Sequence, residues 1–496
     1  MILDLIKERV DELPEQVALL SGDSSITYKE LWDKSDRLAG FISENVENKK
    51  PIIVYGHKSV NMIVCFLACV KSGHAYVPLD ISMANDRVQE IKDLVDNDFI
   101  LSTVKTDIFS GEDLFYDDFN IETSTVEVTE DNWVNPNDTF YIIFTSGSTG
   151  KPKGVQISSE NLTNFVNWSM NLGSEGNFKK KKSFLNQAPF SFDLSVMDLY
   201  TSLASGGRLC ILNKEVQKDS TLLMKRLEDY NVDIWVSTPS FVELCLADSK
   251  FNEDLIPNME IFLFCGEKLS PKTALSLKNR FPKASVINTY GPTESTVAVT
   301  GVEITKDIAQ NSDYLPIGIA KEGTEIEIWN EDGKVLNDDE IGEVVILGDT
   351  VSSGYFQDKS KTDEVFGQKE GKRFYRTGDA GYLHSEMLYY KGRIDFQIKM
   401  HGYRIELGDI EKNMLKLDGV DNVCVLPYSK QDVVKYLIAF VVSNKLDNDY
   451  ETRKSLRNQL KELLPDYMVP KKIQFIEKMP ITNNGKIDRR KLMEMV

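Results

Sequence analysis

Thr145-Ser146-Gly147-Ser148-Thr149-Gly150-Lys151-Pro152-Lys153-Gly154 is the stretch on which the fold of this 496-residue chain turns. Its three glycines let backbone N–H groups approach an anion closely, its four hydroxyls can donate to phosphate oxygens, and its two lysines add positive charge. Together these predict a polyphosphate-binding loop. A Walker loop puts four residues between its first Gly and Gly-Lys-Ser/Thr and opens a helix. Here two residues separate Gly147 from Gly150, and Pro152 follows Lys151. A polar turn between strands is the plainer alternative, disfavoured by the density of glycine, hydroxyl and lysine.

Outward from that loop, apolar runs alternate with amphipathic stretches. Thr27-Tyr28-Lys29-Glu30 is a capping box ahead of Leu31, Leu38 and Ile42 on one helical face. Ile52–Tyr55, an apolar helix holding Cys65 and Cys69, and Ala75–Pro78 then read as strand, helix, strand, the grammar of a parallel α/β sheet. Ile234–Val236, Ile261–Phe264 and Val286–Ile287 each lead into polar or permissive residues, and ligands of open parallel sheets bind beyond the carboxyl ends of strands. These three segments are therefore expected to line one cleft. From Ile317 to Gly354 short alternating runs suggest a small β subdomain. Past Arg393 a separate α+β pattern begins, with helices expected at Leu407–Leu417 and Tyr450–Leu464 and strands at Asn422–Leu426, Tyr436–Val442 and Ile473–Ile476. The expected fold is α/β: a large N-terminal domain, 1–394, with parallel α/β sheets plus the β subdomain, and a smaller α+β C-terminal domain, 395–496.

Composition bounds the function. A net charge of −19 speaks against nucleic-acid binding. The charge is uneven, −22 over residues 1–394 and +3 over 395–496, so the C-terminal part is where an acidic partner would dock, with solvated surface charge the plainer alternative. The N-terminus carries acid where a signal peptide needs a basic start, and no apolar run reaches membrane-spanning length. A cytoplasmic protein without membrane insertion is expected, and a monomer. The six cysteines lack CxxC spacing, which predicts reduced thiols and no structural metal.

Five further motifs narrow the chemistry: Phe190-Ser191-Phe192-Asp193, Asn288-Thr289-Tyr290-Gly291-Pro292-Thr293-Glu294, Tyr375-Arg376-Thr377-Gly378-Asp379, Gly392-Arg393-Ile394-Asp395 and Ile481-Thr482-Asn483-Asn484-Gly485-Lys486. In this order they resemble the adenylate-forming superfamily of acyl-CoA synthetases, luciferases and adenylation domains. Phe184–Met197, Ile261–Glu267 and Arg393–Lys399 resemble, within it, the ligases that load D-alanine onto a carrier protein at the start of lipoteichoic acid D-alanylation.

The resemblance implies ATP, Mg²⁺ and D-alanine as reactants and metal. It implies an ATP site of Thr145, Ser146, Gly147, Ser148, Thr149, Gly150 and Lys151, with Asn288, Thr289, Tyr290, Gly291, Pro292 and Thr293 framing the adenine. Asp379 would accept the ribose hydroxyls, with Tyr390, Lys391, Gly392 and Arg393 beside it. Glu294 would hold the Mg²⁺, since that ion keeps most of its waters and needs one or two carboxylates beside phosphates. Lys486 would stabilise the transition state and touch both substrates.

Asp193, Cys265 and Val297 would form the amino-acid pocket. A carboxylate between aromatic residues suits an ammonium, while a helix N-cap is the plainer role for Asp193. Cys265 as a nucleophile is disfavoured for want of a His nearby in sequence, so it is expected as a pocket wall. Asp395 would be the hinge of a mobile C-terminal domain. The acceptor thiol would come in trans, from a phosphopantetheinylated carrier protein, because only six residues follow Arg490. A free-standing enzyme for another amino acid, a coenzyme A ligase and a non-catalytic nucleotide-binding sensor are the rival readings.

Overall fold

In a computed structural model of the chain, the residues described are 1–109, 113–115, 126–145, 152–173, 181–394, 397–400, 403–430, 433–480, 487 and 489–495. Residues 146–151, Asp395 and Lys486 lie outside them. The chain divides into two compact units: Met1–Ile81 with Val95–Phe144 and Gly154–Ile394, and Ser82–Leu94 with Thr145–Lys153 and Asp395–Val496.

The first unit is built on two large sheets and a smaller one. Six strands run in the spatial order Asp113–Phe115, Ile100–Ser102, Ile52–Gly56, Tyr76–Asp80, Thr139–Thr145 and Lys153–Ser158. Ile52–Gly56 and Tyr76–Asp80 are parallel, as the strand–helix–strand pattern required. The helix between them, Val60–Lys71, is buried on all sides from Met62 onward, so Cys65 and Cys69 lie in a fully enclosed helix. The capping box forms as expected: the Glu30 N–H donates to Thr27 Oγ1 at 3.1 Å and the Thr27 N–H to Glu30 Oε2 at 2.8 Å.

The second, nine-stranded sheet places Ser183–Asn186, Ile234–Ser237, Ile261–Phe264 and Ser285–Tyr290 side by side and parallel. Their registers pair Ser237 with Phe264 and Phe264 with Asn288. Ser183–Asn186, Ile234–Ser237 and Ile261–Phe264 thus end within one residue of each other and Ser285–Tyr290 runs two further, which brings the expected segments to one edge. Thr300–Glu303 returns antiparallel to Ser285–Tyr290 and closes that side. A five-stranded antiparallel sheet follows, containing Thr324–Trp329, Gly342–Gly348, Phe366–Lys369, Lys372–His384 and Met387–Arg393. The β subdomain therefore runs on to Arg393 rather than ending at Gly354, because the 13-residue strand Lys372–His384 pairs with three neighbours.

In the second unit, Asn422–Lys430 and Val433–Val442 form an antiparallel pair, with Lys472–Phe475 parallel to the latter. Helices Leu407–Met414 and Tyr450–Leu463 contribute Ile410, Met414, Leu456 and Leu460 to its core. The strands outrun the expected spans at both facing ends, since the pairing extends to Lys430 and Val433. All six cysteines are buried, and none forms a disulfide. No helix among the described residues is long and apolar enough to cross a membrane.

Candidate active site

Strand alternation places the first functional carboxylate. Along Lys372–His384 the residues Tyr375, Thr377, Asp379 and Gly381 are buried and their neighbours are not, so Asp379 faces inward by period-2 geometry. The bulge before it is fixed by Glu343, which accepts from Arg376 Nη2 at 2.6 Å and from the Gly378 N–H at 3.0 Å. Asp379 Oδ2 accepts from the Tyr290 hydroxyl at 2.5 Å, and Oδ1 accepts from Arg393 Nη1 at 3.0 Å. Arg393, directly paired with Asp379 across the strands, also donates to the Thr377 carbonyl at 2.8 Å. Burial first, and then Asp379, push the Tyr290 hydroxyl well above its usual range, so Tyr290 stays the donor. Tyr390 lies beside it, ring centroids 6.3 Å apart. The two ends of the expected nucleotide site, 290 and 379–393, thus meet through one carboxylate.

Lys391 departs from that group. Asp379–Arg393 and Gly381–Tyr390 pair across a register shift that leaves Lys391 the extra residue of a bulge. Its ammonium stands 5.2 Å from the rings of Tyr314 and Tyr382 instead. Asn288 and Thr289 are engaged by the fold: Asn288 Nδ2 donates to the Pro316 carbonyl at 2.8 Å and Thr289 Oγ1 to the Phe264 carbonyl at 2.8 Å. They shape the strand end with their backbone. Pro292 caps the short turn Thr293–Ser295 that carries Glu294.

Glu294 is fully buried, and Oε1 accepts from the Tyr355 hydroxyl at 2.8 Å. Tyr355 is in turn bridged to Val155, in the strand leaving the phosphate loop, where the Phe356 N–H donates to the Gly154 carbonyl at 2.7 Å. No cluster of three or more His, Cys, Asp or Glu among the described residues could hold a metal alone. A single oriented carboxylate does fit an Mg²⁺ that takes its remaining ligands from phosphates and water.

Asp193 sits at the N-cap position of the wholly buried helix Leu194–Ser205, yet its side chain makes no capping hydrogen bond there. The plain N-cap role is therefore not the one it fills, although the helix N-terminus still favours its negative charge. Next to it, a Cβ built on Gly266 would lie 3.5 Å from Phe192 Cζ and 3.7 Å from Thr238 Cγ2, so the Phe192 and Cys265 segments form one wall. Cys265 Sγ points at the Val297 carbonyl, 3.6 Å away. Thr296 and Val297 both have positive φ, +60° and +67°, a costly conformation for β-branched residues and one that turns the chain sharply into this wall. Gly291 makes room for it: a Cβ there would be 2.5 Å from Ala298 Cα and 2.8 Å from the Val297 carbonyl oxygen. Cys265 and Val297 therefore meet, and Phe192, the residue before Asp193, stands against the Cys265 segment.

The loop itself spans neighbouring strands Thr139–Thr145 and Lys153–Ser158, and its residues 146–151 lie outside those described. At its mouth the Thr145 hydroxyl is buried without a hydrogen-bond partner among the described residues, a donor suited to an anion. Arg87 Nη2 holds the Thr145 carbonyl at 3.1 Å. Lys153 lies 3.7 Å from Glu406. Lys486 and Asp395 are likewise outside the described residues, while Arg489, three residues past Lys486, is tied to Glu411 and the Val425 carbonyl, each at 2.8 Å.

Tyr355, Arg87 and Glu343 are supports that sequence reading missed. Each acts on a partner dozens of residues away, and none stands in a local motif that would have flagged it.

Residues 6–356 match the AMP-binding enzyme family and residues 409–486 match the AMP-binding enzyme C-terminal domain. A D-alanine--D-alanyl carrier protein ligase of Bacillus licheniformis is 44% identical, covering 100% of this chain and 99% of the relative. One of Bacillus mycoides is 43% identical with the same coverage. Among solved structures, an NRPS protein containing adenylation and PCP domains is 26% identical with a TM-score of 0.83, covering 100% of this chain and 97% of that one. The Vibrio cholerae adenylation domain AlmE, in complex with glycyl-adenosine-5'-phosphate, shares the fold with a TM-score of 0.84 at 23% identity, over 100% of this chain and 97% of that one. Sequence, site and fold agree: the chain belongs to the AMP-binding enzymes and, among them, to the family of D-alanine--D-alanyl carrier protein ligases.

Proposed function

We propose that this chain activates D-alanine with ATP, forming D-alanyl-adenylate and pyrophosphate, and then loads the D-alanyl group onto a carrier protein. The observation that carries the amino-acid half is the buried Asp193, which follows Phe192 at the start of a buried helix that it does not cap. A buried carboxylate in a small, largely apolar pocket is matched by an ammonium next to a methyl-sized side chain.

The substrate carboxylate attacks the α-phosphorus of ATP, and the bond to the pyrophosphate oxygen breaks. Two anions must be brought together, so oriented donors and cations supply most of the catalysis. Residues 145–151 hold the departing phosphates, Asp379 receives the ribose, and Tyr290 and Arg393 keep that carboxylate in place. Glu294 is the residue that would hold Mg²⁺, which neutralises phosphate charge when bound. Lys486 offers its ammonium to the transition state. In the second step a phosphopantetheine thiol, carried by a separate acyl carrier, attacks the carbonyl and AMP leaves. This places the reaction in the cytoplasm, as the first step of lipoteichoic acid D-alanylation.

ATP–pyrophosphate exchange with D-alanine, L-alanine and glycine tests the reading. D-alanine should support the fastest exchange. Asp193→Ala should raise the amino-acid KM by about 10²–10³-fold, the cost of unpairing a buried charge, with ATP binding retained. Lys486→Ala should abolish adenylate formation and spare transfer from preformed adenylate. An unchanged amino-acid KM in Asp193→Ala would sink the assignment.

A further inference from the structure

Tyr141 lies in the strand Thr139–Thr145, four residues before the phosphate loop opens, and is fully buried. Its ring belongs to an aromatic cluster that reaches the Asp193 segment: 5.8 Å from Tyr76, which stacks on Phe66 at 4.3 Å, which meets Phe190 edge-on at 5.5 Å. Tyr200, on the helix that Asp193 opens, donates its hydroxyl to that of Tyr76 at 2.8 Å. The Tyr141 hydroxyl has no hydrogen-bond partner among the described residues.

A buried hydroxyl without a partner destabilises a fold, and phenylalanine would fill the same space without that cost. Burial first, then Tyr76 and the negative charge of Asp193, push this hydroxyl well above its usual range, so it stays a donor. Hydrogen bonds of this kind are commonly open in the unliganded enzyme and tighten when substrate binds.

We propose that Tyr141 is a positioning residue for amino-acid binding: its hydroxyl donates to the Asp193 carboxylate once the substrate ammonium draws that carboxylate into place. One carboxylate oxygen then faces the ammonium while the other is held by Tyr141. The inference rests on the amino-acid-activating reading given above, and it adds a residue from the strand that leads into the phosphate loop.

Tyr141→Phe in the full chain tests it by ATP–pyrophosphate exchange and urea denaturation. The expected result is a rise of about tenfold in the amino-acid KM, with the ATP KM and kcat unchanged and the denaturation midpoint equal or higher. In an Asp193→Ala background, where no side-chain acceptor remains, the same change should leave the amino-acid KM where it was. An unchanged KM in the single variant would overturn the proposal, as would a fall in stability accompanied by equal losses for both substrates. So would a KM effect that persists in the Asp193→Ala background. Wild-type protein that shows no amino-acid-dependent exchange would overturn the functional reading itself, a result distinct from each of these.

Discussion

Gly291→Ala offers the sharpest separation of the two substrate sites. The added Cβ would sit 2.5 Å from Ala298 Cα, 2.8 Å from the Val297 carbonyl oxygen and 3.0 Å from the Ala298 nitrogen. All three are backbone atoms, so no flexible side chain can give way. Carbon atoms rest about 3.5–4.0 Å apart, and the 297–298 backbone must therefore retreat by about 1 Å. Overpacking of this kind costs about 1–3 kcal/mol. The segment that moves already holds two β-branched residues at positive φ and carries the carbonyl facing Cys265. A displacement of about 1 Å at a substrate wall is worth up to roughly 10²-fold. Steady-state exchange assays with each substrate varied in turn should show the amino-acid KM rising about 10–100-fold and the ATP KM within about twofold of wild type. If Gly291 were small to admit the adenine, the ATP KM would carry the loss instead, and that result would refute the reasoning.

Three further outcomes are expected. Tyr290→Phe removes the 2.5 Å hydrogen bond to Asp379, and a bond to a charged group is worth about 1.5–3 kcal/mol, so the ATP KM should rise roughly 10–100-fold with little change for the amino acid. Lys58 donates to the Asn186 carbonyl at 2.7 Å and shares a fully buried site with Asp198, which accepts from Asn186 Nδ2 at 2.9 Å. Lys58→Met or Asp198→Leu alone should cost about 3–5 kcal/mol in urea denaturation, and the double variant less than the sum, because neither then leaves a lone buried charge. Burial, only partly offset by Arg87, holds the Asp409 carboxyl up at about 6. The folded state then binds that proton more tightly than the unfolded chain does, so this group's contribution is greatest below about pH 4 and is lost as pH rises through 6. Denaturation from pH 4 to 7 should show Asp409→Asn gaining on wild type as the pH rises, and parallel curves would contradict it.

The parts of the fold that were legible in sequence are those set by short-range rules. The Thr27–Glu30 box needs only i to i+3 spacing, and the parallel strands announce themselves as apolar runs ending in polar turns. The pairing of Cys265 with Val297 in one pocket was implied by resemblance alone, and the 3.6 Å approach of Cys265 Sγ to the Val297 carbonyl depends on a turn that no local pattern announces. What stayed hidden depends on partners distant in sequence. Glu294 takes its orientation from Tyr355, 61 residues on, and nothing in either local stretch pairs them. The left-handed turn at Thr296–Val297 is invisible because β-branched residues ordinarily refuse it, and only the surrounding packing enforces it. Lys391 reads as one of a run of four residues, and nothing in that run foretells the bulge that sets its ammonium near Tyr314 and Tyr382.

Asp379 also fastens the end of its own unit. Arg393, clasped to it, belongs to the last strand before residue 395, and the Ile394 N–H donates to the Gly378 carbonyl at 2.9 Å. The carboxylate assigned to the ribose is thus also the rivet that keeps this strand from fraying. A substitution at Asp379 would loosen the chain where the first unit stops and expose a stretch attractive to proteases, so its kinetic effect could not be credited to lost nucleotide contacts alone. Variants at Tyr290, which meets the same carboxylate from the opposite side and leaves the Arg393 clasp intact, are the cleaner instrument for weighing what the nucleotide gains from this site.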